Sequence, residues 1–300
     1  MPDILIPFQG WIWWALIATL GLVVGLVAGM FGIGGGFLLI PLLNVIFGVP
    51  MDVAVGTGLC MTIGTGVAAF RRHQRLKHGE VKIDWVMLGG SLLGVGVGAQ
   101  TVSYLNQKGL LHIEGHIVPA VQFWIAVAYV VVLCFVSATM IRDARTIQSD
   151  ELLPPGPIAR IQLPPMTTLQ AAGRTISLPI LAYLGLVVGF LSGLMGLGGG
   201  VMMMPILVYG IGMPMKMAAG TGIILLVSTS VAGTIAHAGL GHVHLGLAMV
   251  LLAGSTIGAP IGATLTSNLS GPRLRGIFGI LVLITAAAVL WNLVRVILSH

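Results

Sequence analysis

Charge is what this 300-residue sequence has least of: eight acidic and 14 basic side chains make up 7% of the chain. A soluble domain carries about 25% charged residues, so a fold solvated over its whole surface is excluded. No Asp, Glu, Lys or Arg falls deep in an apolar stretch, which leaves no evident carboxylate for a metal ion or a proton relay inside one. Cysteine is nearly absent. Cys60 and Cys134 both lie in apolar runs, where they read as small packing residues rather than a disulfide or a metal site. No basic stretch precedes "WIWWALIATLGLVVGLVAGM", so that run reads as a first helix and not as a cleaved signal peptide. What is plentiful is apolar surface and glycine. Hydrophobic residues make up 57% of the chain, with 44 glycines and a mean hydropathy of +1.05, the composition of an all-α polytopic membrane protein.

The hydropathy pattern divides into apolar segments at 11–31, 36–48, 53–70, 84–105 and 118–141, then 177–196, 200–212, 217–238, 245–266 and 275–298. Segments 36–48 and 200–212 fall short of the roughly 20 residues a spanning helix needs, and each starts at a triple glycine. The second five repeat the first. At a constant offset of 164, "GLVAGMFGIGGGFLLIPLL" from Gly25 aligns with the stretch from Gly189, "GVPMDVAVGTG" with "GMPMKMAAGTG", and "GSLLGVGVGA" with "GSTIGAPIGA". The chain therefore reads as a first transmembrane repeat (1–141), a linker (142–176) and a second repeat (177–300). The linker holds five prolines between 142 and 175 and charges of both signs, and reads as solvent-exposed with room for local β structure.

The formal charge of +6 could serve a nucleic acid, but its distribution reports membrane orientation instead. Arg71, Arg72, Arg75, Lys77, Lys82, Arg142, Arg145, Arg160, Arg174, Lys216, Arg273 and Arg275 fall on one side, and only Lys108 and Arg295 on the other. The basic loop 71–82 has a counterpart at 235–244 with no lysine or arginine. Equivalent loops then face opposite sides, giving inverted repeats in the cell inner (plasma) membrane, a cytoplasmic linker and both termini outside.

Inverted repeats with short helices after glycine-rich breaks are a secondary-transporter architecture. Gly34, Gly35 and Gly36, with Gly32, and their counterparts Gly196, Gly198, Gly199 and Gly200 remove every β-carbon beside a helix N-terminus, whose free N–H groups and partial positive charge suit an anion. Two such broken or re-entrant ends would make one site near the midplane. Thr57 and Thr221, in the repeated "GTG", add neutral donors, followed by Thr62 and Thr65 in one half and Ser228, Thr229 and Ser230 in the other.

At "GLVAGMFGIGGGFLLIPLL" with "GTGL" (56–59), and at "GFLSGLMGLGGGVMMMPILVYGIGMPMKMAAGTG" (189–222), the sequence resembles the TauE/SafE family, described as sulfite or sulfonate exporters. The resemblance covers nearly the whole chain. It implies seven or eight spans and a small sulfur-containing anion as substrate, such as sulfite, thiosulfate or an organosulfonate. A coupling ion, proton or sodium, and an oligomer are both compatible with it; no organic cofactor, metal or nucleic acid is implied.

Structural readings compete at several positions. "GLVAG" and "GVGVGA" suit close helix packing, Thr57 and Thr221 can bond their own helices, and Pro41 and Pro205 read as kinks. "HIEGH" (112–116) lacks the Glu that HExxH requires after its first His. His73 and His237 are repeat-equivalent and suit a gate or relay. An intramembrane enzyme is disfavoured because no Ser/His/Asp set or metal-ligand cluster falls within a span, and an accessory subunit would not need paired half-helices.

Overall fold

The structure, a computed structural model, describes residues 10–76, 79–113, 116–146, 156–169 and 173–298. Its long helices are α1 (Trp11–Phe31), α3 (Met51–Arg75), α4 (Val81–Gln107), α5 (Ala120–Thr146), α7 (Leu178–Met195), α10 (Ile223–Gly239), α11 (Leu245–Asn268) and α12 (Gly271–Leu298). Shorter pieces interrupt them: α2 (Gly36–Phe47), α6 (Pro157–Arg160), α8 (Gly200–Pro205), a π-helical turn (Ile206–Ile211) and α9 (Met215–Gly220). Two hairpins complete the chain, β1 (Leu110–Ile113) with β2 (His116–Pro119) and β3 (Met166–Leu169) with β4 (Arg174–Ser177). Among the described residues eight helices, counting Met215–Gly239 as one, are long and apolar enough to cross a bilayer. The protein is an all-α polytopic membrane protein in which Gly36–Phe47 and Gly200–Ile211 are too short to span alone.

Small residues set which helices touch. An added β-carbon on Gly21, Gly25 or Gly29 of α1 would run into the backbone of Leu251, Ser255 or Ala259 of α11. On α7, Gly185, Gly189 and Gly193 meet Met87, Ser91 and Val95 of α4 in the same way. Every one of these contacts recurs 164 residues away with the halves exchanged. Glycine at every fourth position puts the bare backbone on one face, so helices approach closely where lipid tails offer no competing hydrophobic gain. In both pairs the residue numbers rise together, so the helices run parallel. The counterparts α3 and α10 run antiparallel instead, Gly66 facing Val227 and Gly233 facing Leu59. Ser137 of α5 donates to Gly279 O of α12 at 3.0 Å.

The segment between the halves carries local β structure, the β3–β4 hairpin. Helix α5 continues through Thr146 and β4 through Ser177, so ordered elements cross both ends of the 142–176 stretch. It is docked rather than simply solvated. Leu169 and Ile176 are buried in the core, a β-carbon on Gly156 would strike the Tyr209 and Gly210 carbonyls, and the Arg174 guanidinium donates to Ile211 O at 2.8 Å. The hairpin therefore caps the C-terminal end of the second short helix. Its Thr168 carbonyl also accepts from Lys82 Nζ at 3.3 Å, which puts it at the same end of the molecule as the basic loop after α3.

Candidate functional site: two glycine-rich breaks meeting at the centre

Each half breaks its first helix at the predicted glycines. Helix α1 ends at Gly32 and α7 at Gly196, and α2 and α8 then start from Gly35 and Gly199, with no side chain capping either start. Gly34 and Gly35 have φ of 78° and 75°, and Gly198 and Gly199 have 64° and 77°. Any other L-residue is strained there, so two consecutive glycines are what lets the chain reverse within four residues. Tyr129 of α5 holds the approach to the second break, its hydroxyl donating to Met195 O at 2.8 Å.

The two breaks touch. A β-carbon on Gly36 would lie 2.6 Å from Gly196 O, and one on Gly200 would run into Ile33. Gly32 faces Ala219 O, and Gly196 packs on Val55 and Ile40. For Gly32, Gly36 and Gly200 the missing side chain is thus accounted for by backbone packing, and for Gly196 by the Ile40 and Val55 side chains. Gly35 and Gly199 face Val24 and Val188, on the helices they have just left. Gly34 and Gly198 differ, because both turn toward the same central side chains, Thr62 and Leu226, and Gly198 also faces Ser230 Oγ.

That centre is lined with hydroxyls. Thr62 Oγ1 donates to Gly34 O at 3.1 Å or Gly58 O at 2.8 Å. Thr229 Oγ1 lies 3.2 Å from Gly198 O, and Thr65 bonds Ser255 Oγ at 2.8 Å. Ser230 is fully buried and its Oγ has no partner. Since buried polar atoms are nearly always satisfied, this is a hydroxyl held available beside a glycine turn.

The "GTG" threonines are placed elsewhere. Thr57 Oγ1 accepts from His244 N at 3.1 Å, and Thr221 Oγ1 accepts from Glu80 N at 2.9 Å. The two bonds are repeat counterparts with the halves exchanged, and they pin the loop before α11 onto α3 and the loop before α4 onto α9. These hydroxyls are committed to backbone, not aimed at the glycine breaks.

Two features escape the sequence pattern. The first is a buried carboxylate at the very edge of an apolar segment, outside the deep positions from which acidic residues are absent. Asp84, in the first turn of α4, is 1% exposed. Its Oδ2 accepts from Ile224 N at 3.3 Å and its Oδ1 has no partner. It sits at the start of α10, where the chain breaks at Thr221 and Gly222 (φ 89°) between α9 and α10. The sequence shows Asp84 only as the residue at the edge of its segment; nothing local signals that α10 begins beside it. The second is a histidine chain. His73 and His237 each place Nε2 against a carbonyl of the glycine stripe in their own half, Gly29 O at 2.9 Å and Gly193 O at 3.1 Å. His237 continues outward, to His242 Nδ1 at 3.4 Å and through His242 Nε2 to Asp52 Oδ2 at 3.4 Å. Of the "HIEGH" pattern, Glu114 and Gly115 lie outside the described residues. No grouping of three metal-ligating side chains occurs among the described residues.

Eight helices among the described residues that are long and apolar enough to cross a bilayer, two short helices after glycine breaks and a buried polar centre suit a membrane transporter. The comparisons agree in class and give the family. Residues 17–289 match the family described as "Sulfite exporter TauE/SafE", and the chain belongs to it. Among similar proteins, YunE of Bacillus subtilis, a "Probable membrane transporter protein", is 24% identical over 92% of this chain and 97% of its own length. Protein MJ0441 of Methanocaldococcus jannaschii, of the same description, is 25% identical over 90% of this chain and 95% of its own. YjnA of Bacillus subtilis is 29% identical over 90% and 96%.

Proposed function

We propose that this protein is a secondary transporter that exports small sulfur-containing anions, such as sulfite, thiosulfate or an organosulfonate, across the cell inner membrane. The family description supports the substrate class. One observation carries the mechanism: two glycine-initiated half-helices, one from each half, bring Gly34 and Gly198 onto a shared centre holding the unpartnered Ser230 hydroxyl. Half-helix N-termini supply N–H donors and partial positive charge without a guanidinium or ammonium group. Such a site holds a weakly basic oxyanion and still lets it go. In this reading Gly34 and Gly198 line the anion cradle, and Gly32, Gly35, Gly36, Gly196, Gly199 and Gly200 shape the two packed breaks that present it. Thr57 and Thr221 tie the surrounding helices in place.

Inverted repeats, with the linker cytoplasmic and both termini outside, would exchange inward-open and outward-open states by rocking one set of packed pairs against the other. The antiparallel α3–α10 crossing supports that symmetry. Asp84 breaks it, because its counterpart by offset is Ala248. A carboxylate with one unsatisfied oxygen in an apolar span is costly to keep ionised and alone, so Asp84 is the residue at which a proton or sodium ion would couple to transport. Purified protein in proteoliposomes, loaded with labelled sulfite and diluted into sulfite-free buffer, tests the function. Efflux that exceeds empty liposomes and is competed by thiosulfate supports it, whereas rates equal to empty liposomes for all three anions overturn it.

A further inference from the structure

Beyond the central site, the groove between α3 and α11 carries a separate binding chemistry. Ala68, Arg71, Arg72 and Arg75 lie at positions i, i+3, i+4 and i+7 of α3, which places them on one helical face. Opposite them stand Pro260, Ile261 and Thr264 of α11, and between the two helices lies an open groove of about 430 Å³, within the range of small-ligand sites. Arg72 Nε donates to Thr264 Oγ1 at 3.0 Å, and Thr264 donates in turn to Pro260 O at 2.8 Å. One guanidinium is thereby oriented across the groove with its terminal nitrogens left over. Among the described residues Arg71 and Arg75 have neither an acidic partner nor a hydrogen bond.

We propose that this groove binds the phosphate headgroup of an anionic phospholipid, with one acyl chain laid along α3 and α11. Guanidinium groups recognise phosphate through paired N–H donors, and basic grooves between spanning helices suit anionic headgroups. The apolar wall selects the lipid over a free anion. Ala68, Pro260 and Ile261 line the groove itself, and exposed Val67, Ile257 and Leu265 extend the apolar surface beside it. A soluble phosphate would use the arginines and leave that wall bare. Because α3 belongs to the first half and α11 to the second, a lipid seated here bridges elements of both and favours whichever state keeps them together.

The test uses purified protein in nanodiscs of phosphatidylcholine with and without phosphatidylglycerol, followed by native mass spectrometry of retained lipid and by thermal stability. Phosphatidylglycerol should be enriched over phosphatidylcholine on the wild-type protein and raise its melting temperature. Arg71→Gln with Arg75→Gln should cut that enrichment roughly tenfold or more, since charge-assisted hydrogen bonds to phosphate are lost. Ile261→Trp, which fills the groove from an exposed position and keeps every arginine, should reduce it as well. Equal retention of the two lipids by the wild type overturns the proposal, as does unchanged enrichment in the variants. Inorganic phosphate that reproduces the full thermal shift in phosphatidylcholine discs would assign the groove to free anions and overturn the lipid assignment. None of these readouts depends on the transported substrate.

Discussion

Replacing Gly198 with alanine separates the two roles a glycine break can have. At φ 64° an alanine costs about 1–2 kcal/mol for the left-handed conformation. Its β-carbon would lie 2.7 Å from Leu226 Cδ1, 3.0 Å from Ser230 Oγ and 3.2 Å from Thr62 Cγ2, all ends of side chains that can shift. Crowding of this kind adds about 1 kcal/mol, the low end of the overpacking range. At roughly 2–4 °C per kcal/mol, the variant should melt about 4–12 °C lower and remain folded. Its β-carbon occupies the shared centre, however, and losing one donor to an anion is worth about 1.5–3 kcal/mol, a tenfold or greater loss of affinity. Gly25→Ala is the control. Its β-carbon meets the Ser255 backbone in the α1–α11 interface, which cannot swing aside as a side chain can, so it should lower stability more than Gly198→Ala and leave sulfite affinity per folded molecule within about twofold. Isothermal titration of both monodisperse proteins with sulfite reads the difference. Equal affinities in Gly198→Ala and wild type, or equal losses in the two variants, would refute the assignment of Gly198 to the centre.

Three further outcomes are expected. Asp84→Asn keeps an acceptor for Ile224 N and should fold with near-normal stability while losing the dependence of sulfite efflux on a proton or sodium gradient; Asp84→Ala should also lose about 1 kcal/mol, as a capping acceptor does, measured by thermal melting. Arg174→Ala removes the donor to Ile211 O and should cost about 1 kcal/mol, with faster proteolysis of the hairpin, which a solvated tether would not show. In a Cys60→Ser, Cys134→Ser background, an impermeant thiol reagent should label Gly241→Cys in intact cells and Gln74→Cys only after permeabilisation; labelling of both from outside would exclude inverted halves.

Much of this fold is legible in the primary structure because glycine spacing and hydropathy act locally. The stripes through Gly21, Gly25 and Gly29 and through Gly185, Gly189 and Gly193 mark close-packing faces without reference to a partner, and the triple glycines mark the breaks. The unequal treatment of the two "GTG" motifs is not legible. Both halves carry the same three residues, yet α3 runs unbroken through Thr57 whereas the second half breaks at Thr221. The difference lies across the fold: Asp84 takes a backbone N–H at the start of α10, and Ala248 offers no acceptor in the equivalent place. The docking of the linker was hidden for a related reason. It depends on Gly156 meeting the backbone of Tyr209 and Gly210, a contact between segments whose own compositions look like a polar tether and an apolar helix.

Thr57 and Thr221 show the limit of reading donors from repetition alone. Their recurrence at matched positions suits a two-sided ligand site equally well as two matched structural bonds, and the partners His244 N and Glu80 N favour the second. Ser230, by contrast, has no counterpart hydroxyl at the equivalent position, Gly66, and it carries the available oxygen at the centre.

The most direct test of the central claim is sulfite efflux from proteoliposomes containing Gly34→Ala, Gly198→Ala or Gly25→Ala protein at matched, folded density. Loss of efflux in the first two with retention in the third is the expected result, because only Gly34 and Gly198 face the shared centre. Efflux retained in the Gly34 and Gly198 variants, or lost equally in all three, would contradict an anion path between the two glycine breaks.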